Sequence, residues 1–94
     1  MRVDGFKEFL KKEPTISSHD AVNTRINRAK IIEDHFDTSL DDLVSDDEIT
    51  YKTLITLKDN MDVRGNLQNT VRKYYKFVHG KEFPSIKDYE LQRS

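Results

Sequence analysis

Between Asn66 and Gly80 the chain reads Asn-Leu-Gln-Asn-Thr-Val-Arg-Lys-Tyr-Tyr-Lys-Phe-Val-His-Gly, and this stretch constrains the fold most. At helical period, Leu67, Val71, Tyr74 and Val78 fall on one stripe, which Tyr75 and Phe77 widen. Arg72, Lys73 and Lys76 remain on the flank and back. Asn66 suits an N-cap and Gly80 a C′ position, so both ends are punctuated. The spacing predicts one helix with an aromatic-rich core face beside a compact basic face. The first face anchors the helix in a small bundle. The second is by default a solvated face, and gains meaning only with other cations beside it.

The remaining segments also read as helices. Val3, Phe6, Phe9 and Leu10 share a face over residues 3–12, and Pro14 stops the helix by excluding its predecessor from the α region. Residues 19–36 form a long helix with Val22, Ile26, Ala29, Ile32 and Phe36 as its stripe. Ser17 or Ser18 caps it, and Ser17 stands in capping-box spacing with Asp20. Arg25 and Arg28 flank the stripe, while Ile31 points away from it. In residues 37–48, Leu40, Leu43 and Val44 mark one helical turn dipping into the core. Ser39 and Ser45 stand at capping-box spacing from Asp42 and Glu48. A third long helix over 46–60 turns Ile49, Leu54, Leu57 and Met61 inward. A loop broken by Gly65 leads to the principal helix. Ile86 and Tyr89 mark a last short turn, and the chain frays from Leu91. The expectation is a single all-α domain over residues 1–94, a compact bundle of four to five helices.

Composition removes several functions. Ninety-four residues suffice for one small core. Without cysteine there is no disulfide framework or thiolate metal site. His19, His35 and His79 lack the helical spacing of a zinc site. The aspartates lack the central glycine of a calcium loop. The three glycines stand singly, so no phosphate loop is present, and no serine occupies a nucleophile elbow. The expectation is a non-enzyme with no cofactor and no metal. No apolar run is long enough to span a bilayer and no secretory h-region is visible, so the chain is expected to be intracellular and cytoplasmic, away from membranes.

The net charge of −1 hides an asymmetry. Residues 1–32 hold seven basic against four acidic side chains, residues 33–63 two against ten, and residues 64–94 seven against three. Clustered Lys and Arg neutralise backbone phosphates. Asn and Gln can bond adenine edges, and Arg guanine. Arg25, Arg28, Arg64, Gln68, Asn69, Arg72, Lys73 and Lys76 are therefore the expected duplex-DNA contacts, with Gln68, Asn69 and Arg72 as reading positions if that helix enters a major groove. Lys7, Lys11 and Lys12 form a further cluster. The rival expectation is a protein-interaction module. There the acidic 33–48 surface docks a basic partner, with Ile31, Tyr51 and Ile55 adding apolar contact. Capping of helix N-termini accounts for most of the acidic residues without a partner.

The order of elements resembles a known family. A short helix carries Phe6, Phe9 and Leu10. A second carries Ser17-Ser18 at its start and Ile26, Ile32 and Phe36 in its stripe. Leu40-Asp41-Asp42-Leu43 follows, then a helix with Leu54 and Leu57, then Leu67-x3-Val71-Arg72-Lys73-Tyr74-Tyr75-Lys76-Phe77-Val78. This is similar to the SAM-like, core-binding N-terminal domain of phage integrases, the tyrosine recombinases. The resemblance spans about residues 3–83 and is one of apolar positions. It implies a SAM-like DNA clamp of a mobile-element recombination or replication protein. Helices two and four face DNA in that arrangement, beside a separate catalytic domain or protein partner. The recombinase His-x-x-Arg is missing, which reads as an excised domain or a small stand-alone protein. Tyr74, Tyr75 and Tyr89 then read as core or interface rather than nucleophiles.

Overall fold

A computed structural model describes residues 1–14, 18–60 and 64–93. Among them are six helices and no strand: α1 (Val3–Lys11), α2 (His19–Phe36), α3 (Leu40–Leu43), α4 (Asp47–Asn60), α5 (Asn66–His79) and α6 (Ile86–Arg93). The chain is an all-α bundle, with one helix more than the four or five expected. α5 is its axis, packing against α1, α2, α3 and α4, whereas α6 touches α4 alone.

The expected stripe of α5 is the core. Leu67, Val71, Tyr74 and Tyr75 are buried, and Phe77 and Val78 are half-buried against them. Phe6 meets Tyr74 edge-on at 4.9 Å, and Phe77 lies 5.6–5.7 Å from Phe9 and Phe6. Offset and edge contacts of this kind add stabilisation beyond buried area. Gly5 permits the close approach of α1, since a Cβ there would lie 3.0 Å from Phe77 Cζ.

Helix ends follow local chemistry. Ser18 Oγ accepts from Ala21 N at 3.1 Å and caps α2; Ser17 and its capping-box spacing lie outside the described residues, as does Met61. Ser39 Oγ accepts from Asp42 N as expected. The cap of α4 differs. Asp46 Oδ1 accepts from the backbone N of Glu48 (2.8 Å) and Ile49 (3.3 Å), while Ser45 Oγ donates back to Asp42 O at 2.7 Å. An ionised carboxylate is the stronger acceptor at a helix N-terminus. The cap of α5 is Gly65 at φ 77°, and Asn66 is its first helical residue. Gly80, at φ 73°, ends α5 as expected, its N–H bonding Lys76 O.

Two further expectations are corrected. Ile49 is 43% exposed, and Thr50 and Thr53 are the buried pair on α4. Each threonine hydroxyl donates to the carbonyl four residues earlier, at 2.9 Å, which lets it enter an apolar core without an unpaired group. The last short turn is an eight-residue helix, and its described residues extend through Leu91 to Arg93. Tyr51 Oη donates to Glu90 at 2.6 Å, and Arg93 pairs with Glu48 at 2.8 Å, tying α6 to α4.

Candidate nucleic-acid interface

Two helices and one extended segment build a cleft of about 360 Å³. It is lined by Arg25 of α2, by Asn69, Arg72, Lys73 and Lys76 of α5, and by Glu82 and Phe83 beyond α5. On α5 these positions follow the helical repeat: 69, 72, 73 and 76 share a face beside the buried one. α2 lies along α5, so Arg25 reaches the same concavity. Three cations of α5 thus converge with one from α2, remote in sequence.

Their states differ. Arg72 is half-buried, and its Nη1 donates to Phe83 O at 3.0 Å and Pro84 O at 2.9 Å. It lies 5.7 Å from the Phe83 ring centre. Burial lowers its pKa, and Glu82 opposes that shift; the guanidinium stays charged. Arg72 therefore anchors the α5–α6 connection as well as facing the cleft. Lys73 and Lys76 share one carboxylate oxygen, Glu13 Oε1, at 2.7 and 3.4 Å.

Arg25 and Arg28 differ again. Neither has an ion-pair partner among the described residues. The Arg25 pKa is lowered by burial and then by repulsion from Arg28, one turn on, while Glu13 opposes the shift. Burial and a like charge one turn on thus disfavour the charged form of Arg25, and Glu13 offsets only part of that.

The remaining expected contacts stand apart. Arg64 is exposed in the turn before α5, and Gln68 is half-buried on α5; neither lines the cleft. Sequence reasoning missed Glu13, Glu82 and Phe83. Nothing in local spacing ties Glu13 to lysines some 60 residues away.

None of the acidic residues of 33–48 lines the cleft, and most of their carboxylates bond within the fold. Asp41 accepts from Tyr74 Oη at 2.7 Å and Arg2 Nε at 3.1 Å, and lies 3.4 Å from the Met1 amino group. Glu33 accepts from Leu40 N and pairs with the same amino group. Asp46 caps α4, Asp47 accepts from buried Tyr75 at 2.6 Å, and Glu48 pairs with Arg93. Burial, then Asp47, push the Tyr75 phenol far above its ordinary pKa. Ile31 is 49% exposed on α2, but Tyr51 lies under Tyr89 and Arg93 of α6, and α2 and α4 do not touch.

These contacts set an acid limit on stability. The hydrogen bond from Lys73 leads the effects that hold Glu13 below the ordinary glutamate value of 4.5. Burial alone would raise Asp41, but hydrogen bonds from Tyr74, Arg2 and the terminal ammonium outweigh it and hold Asp41 below 3.8. Depressed carboxyls bind more protons unfolded than folded, so their stabilisation is full above those ordinary values and is lost as pH falls through the folded ones. Thermal unfolding should therefore show a flat Tm from neutrality to about pH 5 and a decline below about 4.5; in Glu13→Gln that decline should be shallower.

Among the described residues no helix is long and apolar enough to cross a membrane, and no cluster of His, Asp or Glu is grouped to hold a metal ion. No protein-family model matches the chain, and no curated protein or solved structure matches it either.

Proposed function

We propose that this domain is a non-catalytic binder of duplex DNA, gripping the phosphate backbone with the α2–α5 face. The observation that carries the reading is the convergence of Arg25, Arg72, Lys73 and Lys76 on one cleft with Asn69. Arg28 extends the positive face along α2. Phosphate contacts of this kind fix register without reading sequence, and Asn69 is placed to add an amide contact. The resemblance to integrase core-binding domains agrees, since it assigns DNA contact to the same two helices. By that likeness the domain would serve a mobile-element recombination or replication protein, holding DNA for a separate catalytic partner in the cytoplasm. The rival, a basic protein docking on residues 33–48, is less favoured because most of those carboxylates already serve caps and ion pairs.

The test is a duplex titration at two salt concentrations. Three or more neutralised phosphates give a log–log slope of about −2.7 or steeper, roughly a 40-fold loss of affinity between about 50 and 200 mM salt. Affinity that is insensitive to salt would contradict the reading.

A further inference from the structure

Two of the cations that line the cleft, Lys73 and Lys76, are already held by a carboxylate of the chain itself. Glu13 follows α1 and precedes Pro14, and a residue before proline is biased away from helix. Its side chain turns inward and is only 9% exposed. Among the described residues, its side-chain hydrogen bonds come from Lys73 and Lys76. Arg25 feels the same carboxylate from α2. One anionic oxygen shared by two lysines, beside a cleft whose lining holds a single exposed carboxylate, is the arrangement a phosphate oxygen would adopt.

We infer that Glu13 is an internal stand-in for phosphate, and that DNA engages Lys73 and Lys76 only by displacing it. This rests on the DNA-binding reading and adds a threshold to it. Solitary small anions offer no more than Glu13 does, and they lack its tethering. A strand with adjacent phosphates holds Arg25 and Arg28 at the same time as it competes for the lysines, so it can evict the carboxylate. Eviction needs only a new rotamer of a three-torsion side chain, with α1 left in place. The device thus favours polyanions over the simple anions that crowd a cell. It also keeps two lysines paired when no DNA is bound.

The salt behaviour distinguishes this from an ordinary surface pair. In the free protein Glu13 takes the place of mobile counter-ions at Lys73 and Lys76. Those lysines then release few ions on binding, and the salt slope understates the number of phosphate contacts. Glu13→Gln restores mobile counter-ions to both.

The experiment measures duplex-DNA affinity against salt for the wild type, Glu13→Gln and Glu82→Gln, with helicity checked by circular dichroism. Glu82→Gln removes one negative charge from the cleft lining without touching a lysine pair, so it reports the general field. Glu13→Gln should bind about tenfold tighter at low salt, the order of one broken charge-assisted pair, and its slope should steepen by about one to two. Glu82→Gln should gain roughly twofold, the order of a screened surface charge, with its slope nearly unchanged. Equal gains for the two variants would overturn the role of Glu13 and leave DNA binding standing. No binding by any of the three would overturn both. A second measurement needs no variant. The side-chain carboxyl of wild-type Glu13, followed by carbon NMR, should titrate below 4.5 in the free protein and return toward that value with duplex bound. A value still depressed in the complex would also overturn the displacement.

Discussion

Tyr74→Ala should cost about 3–5 kcal/mol, the range for losing a large buried ring and leaving its cavity. The Tyr74 side chain ties α1 and α3 to α5. The ring is fully buried between Phe6 of α1 and Phe77 of α5. Its hydroxyl accepts from Arg2 N at 2.9 Å and donates to Asp41 Oδ1 at 2.7 Å, joining the N-terminus of α1 to α3 through α5. A domain of this size has a net stability near the lower end of the usual 5–15 kcal/mol, so the variant should lose roughly 15–30 °C in Tm or fail to fold. Tyr74→Phe keeps the ring and leaves Arg2 N without its acceptor, at a cost of about 1–2 kcal/mol. Thermal denaturation of the two variants separates ring from hydroxyl. Equal losses would mean that the polar link, not the packing, organises the axis.

The parts of this fold visible in the sequence are those governed by local chemistry. α2 and α5 have long apolar periods; α2 runs from His19 to Phe36 as expected, and α5 ends at His79 before Gly80 as expected but starts at Asn66, one residue earlier than an Asn66 cap would place it. α4 was harder because hydropathy ranks Ile49 above Thr50 and Thr53. A threonine that returns its hydroxyl to the preceding turn can be buried, and the resulting face is rotated from the one that hydropathy selects. α6 has no fully buried residue, so it carries little periodic signal; its place is set by Tyr51–Glu90 and Arg93–Glu48, both long-range.

The candidate site divides in the same way. That Arg72, Lys73 and Lys76 share a flank of one helix follows from spacing alone. That Arg25 faces them depends on how α2 lies along α5, and that Glu13 sits between the lysines depends on the path of the chain around Pro14. Neither follows from any local pattern. The structural duty of Arg72 was equally hidden, because its partners are backbone carbonyls, which every residue carries. For that reason a charge reversal at Arg72 would confound folding with binding.

Arg25→Glu with Arg28→Glu is the cleaner reversal. Both residues are half-buried on α2 and have no ion-pair partner among the described residues. The fold should tolerate the change, because neither guanidinium holds a partner that the fold would lose and one like-charged pair only replaces another. The α2–α5 face, by contrast, would exchange two attractive charges for two repulsive ones, one of them in the cleft lining. Duplex-DNA affinity at low salt should fall by at least about a hundredfold, some 2.7 kcal/mol, with unfolding within about 1 kcal/mol of the wild type. This comparison tests the α2–α5 face as the DNA-binding surface most directly. Loss of binding in a folded variant is the predicted result. Undiminished affinity in that same folded variant would contradict it.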